Sequence, residues 1–313
     1  MARGRAAGGL NRLLIHSVGD DTGIRHYLPA VRRFLGYVGS LDLPFTNFLD
    51  IDAALSDFLD FMFYEDAGSF NDASFAVSGI GYLEPRLRGH LPEAWRSLAS
   101  WKRLAPLGEG APVPWETLLV MGDDMNRLGR VECGLMLETA MDAWLRTQDL
   151  AMLLVGDVSF TTDSQGRRIA SLALGVPERG EATKTGFRQG DVIDHYYVAD
   201  RLYEHCQGRS AECPLFVTSV RVYTDTWRQV RAARGLSYVG PPHSVRHSGP
   251  SRDHFLGLRG LDEIMKRGRW RGPASVLRYS KSHVYVSQLA RQPGELRALG
   301  EKLALKWGDR YSA

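Results

Sequence analysis

Apolar residues recur every three to four positions through the first hundred residues, and glycine or proline interrupts each run. Ile24, Leu28, Val31, Phe34, Leu35 and Val38 share one face of a first helix that stops near Gly39, with Asp20, Asp21 and Thr22 available as N-caps. Asp50 opens a second helix carrying Leu55, Phe58, Leu59 and Met62. A third spans 71–84, with Phe75, Ile80 and Leu83 inward, and ends at Pro85. A fourth spans 92–104 and includes Trp95, Leu98 and Trp101. Four short amphipathic helices in so little chain predict a compact all-α domain over 20–104. The stretch 105–114, APLGEGAPVP, holds three prolines and two glycines and reads as a linker.

The pattern then changes. Helices are predicted over 115–127 and 130–146, followed by a small β region. Residues 168–176, RIASLALGV, form a strand, PERGEATKTGFRQG a hairpin turn, and 191–194 the return strand. Helices follow near 195–206 and 222–234, and an amphipathic tail runs over 295–307. The fold class is therefore mainly α with a small β-sheet (α+β), in two domains. The predicted boundaries are a basic arm at 1–19, the helical domain, the linker, a mixed domain at 115–290 and a tail at 291–313.

Composition adds one asymmetry to this picture. From residue 221 onward there are 18 Lys/Arg and 7 Asp/Glu, against 21 and 29 before it, although the whole chain carries only +3. A basic C-terminal third suits a polyanion such as nucleic acid, because binding phosphates releases their counterions. Cys133, Cys206 and Cys213 form no CxxC pair, which disfavours a disulfide framework or zinc site and suits a reducing compartment. No apolar run approaches the roughly 18 residues of a membrane span. The first residues, MARGRAAGGLNRLL, are basic but lack a sustained apolar core, so they read as a flexible arm rather than a secretory signal.

The candidate chemistry gathers in 243–279. His243 and Arg246 stand three apart, a spacing that places both on one face of a helix, where imidazole and guanidinium could hold the oxygens of a phosphate. Alone, such a pair is more often a solvated helix face, and the adjacent His247 leaves open which imidazole matters. Ser248-Gly249-Pro250 should kink that helix or lie in its first turns. Trp270 sits in an Arg/Gly-rich corner, and Tyr279, one of twelve tyrosines, lies among the basic residues Arg278 and Lys281. A phenol titrates near pH 10, so a nucleophilic tyrosine needs nearby cations or a base. Earlier in the chain, Arg146 precedes Asp149 by three, an ion-pair spacing. Lys184 lies at the predicted hairpin tip, where Arg179 and Arg188 compete with it.

In chain order Arg146, Lys184, His243, Arg246, Trp270 and Tyr279 resemble the signature of the tyrosine recombinases, the phage-integrase-like family. The resemblance covers roughly 20–290, and HSVRH…GRWRG…VLRYSK is its specific part. It implies a helical core-binding domain that clamps DNA and a catalytic domain in which Tyr279 attacks the scissile phosphorus to give a 3′-phosphotyrosyl bond. Arg146 and Arg246 would neutralise the phosphate oxygens, Lys184 would protonate the leaving 5′ oxygen, and His243 would serve as general acid/base. Trp270 occupies a position where many members carry His and some Trp; its indole N–H can donate but cannot shuttle a proton. Asp149 would support Arg146. Arg252, Lys266, Arg267, Arg269, Arg271 and Lys281 are read as DNA contacts.

By the same resemblance no ATP, metal or other cofactor is required. The partners would be double-stranded DNA with paired sites and three further copies of the chain in a tetramer that proceeds through a Holliday junction. The protein would act inside the cell on DNA, with no membrane contact, and the tail helix would dock on a neighbouring protomer. A type IB topoisomerase, which shares Arg, Lys, Arg, His and Tyr, and a catalytically silent DNA-binding protein of the same fold are the alternatives.

Overall fold

The structure, a computed structural model, describes residues 23–41, 45–66, 68–105, 110–180 and 186–308. Its contacts divide between residues 109 and 110 into two compact units. The proposed basic arm, the Asp20–Thr22 caps and most of 105–109 lie outside the described residues.

In the first unit a π-helical turn, Gly23–Tyr27, leads into α1, Leu28–Leu41. There follow α2, Phe48–Tyr64; α3, Phe70–Leu83; and α4, Pro92–Leu104. The predicted stripes supply the core, with Val31, Phe34, Leu55, Phe58, Leu59, Met62, Ile80, Leu98 and Trp101 buried. Leu35, Leu83 and Trp95 were expected inside but are about half exposed, because a helix buries only a limited arc and their neighbours fill it. On α3 the small residues Ala73, Ala76 and Gly79 take the inner positions instead. A β-carbon on Gly79 would lie 2.8 Å from Val31 Cγ2, so α1 and α3 meet at glycine contact. Leu91 gives α4 no side-chain cap. Buried Asp52 on α2 caps it from outside, accepting the Glu93 and Ala94 amides at 2.9 Å each.

The second unit opens with a helical hairpin, α5, Trp115–Arg127, and α6, Val131–Asp142. α6 stops earlier than predicted, at a turn where Trp144 has φ +49°, and a six-residue helix, α7, Thr147–Met152, follows. The sheet is three-stranded and antiparallel: β1, Val158–Thr162; β2, Arg168–Leu174; and β3, Gln189–Val192. Val158 pairs with Leu172, and Leu172 with Asp191. β1 escaped the sequence reading because its VSFTT has only two apolar positions. Next come α8, Tyr196–Cys206; α9, Val220–Ala233; α10, Val245–Leu256; α11, Leu261–Arg267; α12, Pro273–Leu277; and α13, Ser282–Arg291.

The tail helix, α14, Gly294–Ala304, packs along α5 of its own unit. Leu296 and Trp307 are buried there, and the Trp307 ring meets Trp115 edge-on at 5.5 Å and His195 at 5.0 Å. Gly300 permits the close approach: a β-carbon there would stand 2.5 Å from the Glu116 carbonyl oxygen. Among the described residues no helix is long and apolar enough to cross a membrane.

Candidate active site

α10 has an unusual character for a core helix. Val245, Arg246, His247, Ser248, Gly249, Pro250, Ser251 and Asp253 are all buried, so most of what it presents to the interior is polar. Such a helix is stable only if those groups find partners, and most of them do. Ser248 donates to the Ser244 carbonyl and accepts the Val113 amide at 2.8 Å. Ser251 donates to the Tyr279 carbonyl at 2.6 Å and accepts the Lys281 amide at 2.9 Å. Pro250 stands inside the helix rather than at its start, which removes the donor that would otherwise reach the Arg246 carbonyl. Gly249 is required by contact, since a β-carbon there would fall 1.9 Å from the Trp144 indole nitrogen.

Arg246 is fully buried. One Nη donates to the Trp144 carbonyl and the other to the Gly268 carbonyl at 2.6 Å, which fixes the guanidinium plane. Its Cζ lies 5.2 Å from the Trp270 ring and 5.7 Å from the Tyr279 ring. Burial, then the neighbouring Arg146 and Arg269 guanidinium groups, push its pKa down to about 9, while Asp149 and Tyr279 oppose the shift. Arg146 caps α7, where Asp149 accepts its amide at 3.0 Å and sits 3.8 Å from its Nη1. The Arg146–Asp149 spacing therefore forms the predicted pair, one turn into a short helix.

Three arginines close the C-terminal end of α6, whose last carbonyls have no helical partner. Arg267 donates to the Asp142 carbonyl at 2.7 Å, Arg269 to those of Ala143 and Trp144 at 3.3–3.4 Å, and Arg246 shares Trp144. The left-handed turns at Trp144 (φ +49°) and Arg269 (φ +56°) face one another across this junction. Such backbone costs about 1–2 kcal/mol at a non-glycine residue and survives only where surroundings impose it.

The reading of Arg267 and Arg269 as DNA contacts is corrected here: both side chains are at least nine-tenths buried. Arg267 pairs with Asp142 at 3.1 Å and Asp194 at 2.8 Å, and Arg269 with Asp191 on β3. Asp142 is itself a hub that accepts the Asp194 and His195 amides and His195 Nδ1. Burial raises the Asp142 pKa, but His195, Arg267 and these amides outweigh it, so the carboxyl stays below its ordinary range. Lys281 is likewise buried, its Nζ 3.4 Å from the Gly110 carbonyl. Arg252 lies over the Trp115 ring at 4.6 Å and beside Asp253, whereas Lys266 and Arg271 are exposed. Part of the basic excess in the C-terminal third thus faces inward, where Arg259, Arg267 and Arg269 meet Asp142, Asp191 and Asp194.

Trp270 and Tyr279 lie at the same junction as Arg246. Their rings stack at 4.7 Å, and Trp270, Trp144, Ile264 and Val276 form a small apolar cluster against which Tyr279 packs. His243 differs from the expected arrangement. It belongs to a 3-10 turn, Pro242–Ser244, preceding α10, and is exposed, while Arg246 three residues on is buried. His243 approaches the site through its ring contact with His247, at 5.6 Å. Lys184 lies outside the described residues. His247, the rival imidazole in the sequence, is the one whose ring stacks on Tyr279.

Among the described residues, five buried N–H groups at this junction have no hydrogen-bond partner: Arg146 Nη1, Arg246 Nε, Arg267 Nε, Arg269 Nε and Trp270 Nε1. Each such donor costs about 1–3 kcal/mol if left unmade. Two of them belong to the predicted arginine pair and a third to the predicted tryptophan, beside the tyrosine. A tetrahedral oxyanion offers the acceptors that such a set lacks.

No family model matches the sequence, and neither does any curated protein. Solved structures do match in fold. The Tn1549 transposon integrase in complex with transposon right-end DNA superimposes with a TM-score of 0.55 at 12% identity, covering 88% of this chain and 95% of that one. This chain has the tyrosine recombinase fold. The XerH site-specific recombinase, in its post-cleavage complex with a palindromic difH substrate, matches at 0.53 and 13% identity over 86% and 80% of the two chains. A lambda integrase dimer bound to a COC′ core site matches at 0.51 and 16% over 87% and 74%. On the recombinase fold, the mixed unit described here carries Arg146, Arg246, Trp270 and Tyr279 at one junction.

Proposed function

We propose that the protein is a site-specific DNA recombinase that cuts and rejoins DNA through Tyr279. The observation that carries this reading is the set of buried N–H donors without a hydrogen-bond partner on Arg146, Arg246 and Trp270, gathered beside the one tyrosine that the sequence pattern selects. The solved structures similar in fold add support, since those named above are complexes with DNA.

In the proposed reaction the Tyr279 oxygen attacks the scissile phosphorus. A Tyr–O–P bond forms as the P–O5′ bond breaks, leaving a 3′-phosphotyrosyl enzyme and a free 5′-hydroxyl. The phenol proton leaves to a base, for which exposed His243 is the candidate, and Lys184 supplies a proton to the 5′ oxygen. Arg146 and Arg246 hold the non-bridging oxygens as negative charge grows there, and Arg246 needs no rearrangement because two carbonyls already fix its plane. Trp270 contributes one hydrogen bond. Attack by the 5′-hydroxyl of a partner strand reverses the first step, so the bond energy is retained in the phosphotyrosine. Strand exchange between paired sites calls for a tetramer on DNA. The first unit, 20–104, would clamp the duplex, with Lys266 and Arg271 as phosphate contacts on the second.

The test is a nicked suicide substrate built from inverted repeats flanking the gene. Wild type is expected to become covalently attached to a 3′ phosphate, and Tyr279→Phe is not. An adduct with Tyr279→Phe would remove Tyr279 as nucleophile. No adduct with wild type would favour a silent DNA-binding protein, and relaxation of supercoiled DNA without joining of two sites would favour a topoisomerase.

A further inference from the structure

His247 takes no part in the reaction outlined above, yet it is the nearest ring to the nucleophile. Its imidazole stacks on the Tyr279 phenol at 4.4 Å with an interplanar angle of 22°, while Trp270 covers the other face at 4.7 Å and 27°. Tyr279 is therefore the middle ring of a stack of three. We propose that His247 is a positioning residue that, with Trp270, fixes the plane of the Tyr279 phenol for attack. This rests on the reading of Tyr279 as nucleophile.

The local structure explains why such a device is needed. Tyr279 follows a five-residue helix, α12, in which Val276 is the one buried residue. Ser251 tethers the main chain through the Tyr279 carbonyl, but a main-chain bond leaves both side-chain torsions free. A phenol oxygen lies several ångströms from its Cα, so a modest ring rotation moves it by an ångström or more. Misplacement of that size costs on the order of 10²-fold in rate. Two rings on opposite faces remove that rotation.

His247 is itself well held. It lies on α10, is 7% exposed, and a β-carbon on Gly110 would come within 3.1 Å of its Nε2. Face-to-face geometry separates positioning from proton transfer. The lone pair and N–H of an imidazole lie in its ring plane, so a ring stacked flat on the phenol directs them past it. Burial, then Lys281 and His243, push the His247 pKa down to about 4. At neutral pH the ring is uncharged and adds no further cation beside Arg246.

His247→Phe and His247→Ala in the full chain test this. Both are measured for DNA affinity and for the rate of adduct formation on the suicide substrate at saturating DNA. Stacking predicts that His247→Ala slows the adduct by about 10–100-fold with DNA affinity unchanged, while His247→Phe stays within about 3-fold of wild type with an unshifted pH profile. His247→Phe as slow as His247→Ala would assign imidazole chemistry to this position and overturn the proposal, and so would a fully active His247→Ala. His247→Gln serves if the alanine variant does not fold, and it too should be slow.

A second arm removes the nucleophile. In a Tyr279→Ala background cleaved by added peroxide, His247→Ala should have no further effect, because no phenol remains to be placed. A further loss there would mean that His247 acts on the phosphate. Absence of any adduct from wild type would instead remove the parent reading, so the two failures are distinguishable.

Discussion

The Ser251 hydroxyl donates to the Tyr279 carbonyl at 2.6 Å, joining the buried helix α10 to the segment that carries the candidate nucleophile. The same oxygen accepts the Lys281 amide, so one side chain pins the chain on the C-terminal side of Tyr279, across Ser280. Ser251→Ala removes both bonds and leaves the Tyr279 carbonyl and the Lys281 amide only their mutual contact at 3.2 Å. Stability should fall by about 1–3 kcal/mol, read by urea unfolding. Adduct formation should slow several-fold beyond any change in DNA affinity, because the tyrosine's main chain loses its anchor.

Arg246 is fixed by two carbonyls and keeps Nε for a ligand. A lysine is a single point charge and cannot satisfy both carbonyls and an anion from one position. Arg246→Lys should therefore reduce adduct formation by about 10²–10³-fold, the size of losing a preorganised oxyanion donor. Single-turnover cleavage at saturating DNA measures it.

Gly249 lies against the Trp144 indole, with no room for a methyl group. Gly249→Ala should displace either α10 or the left-handed turn at Trp144, whose carbonyl accepts Arg246. Overpacking of this kind costs about 1–3 kcal/mol, which a lowered urea midpoint should reveal. Cleavage should fall in parallel, since the Arg246 anchor moves with the turn.

His247 makes stability depend on pH in a defined direction. Its folded pKa is about 4 against an ordinary 6.5. Above 6.5 neither state binds this proton and the contribution is fully present. As pH falls below 6.5 the unfolded chain protonates first, so stability falls progressively until about pH 4. The full effect is about 3 kcal/mol. Urea unfolding at pH 7 and pH 4.5 should show a smaller difference for His247→Phe than for wild type.

The helices of the first unit, α5, α6, α8, α9 and the tail were legible in the chain because helices advertise a period of 3.6 residues, whereas the short α7, α11, α12 and α13 were not. Leu55, Phe58, Leu59 and Met62 on α2 follow that rule, and so does the tail stripe of Leu296 and Trp307. β1 was not legible, since VSFTT reads as polar loop until β2 pairs with it. The chemically distinctive residues, Arg146, Arg246, Trp270 and Tyr279, were legible as types in an order.

What tertiary structure alone decided is which charges face inward and which ring meets which. Arg246, Arg267 and Arg269 look alike in sequence, yet one is held by two carbonyls and two are held by the acids Asp142, Asp191 and Asp194. His243 and His247 differ by one helical turn, and the second, not the first, stacks on Tyr279. Spacing along a chain gives the period of a helix but not the direction from which another helix approaches. Those directions are set by close contacts such as Gly249 on Trp144 and by left-handed turns at Trp144 and Arg269. Only the packed core imposes them.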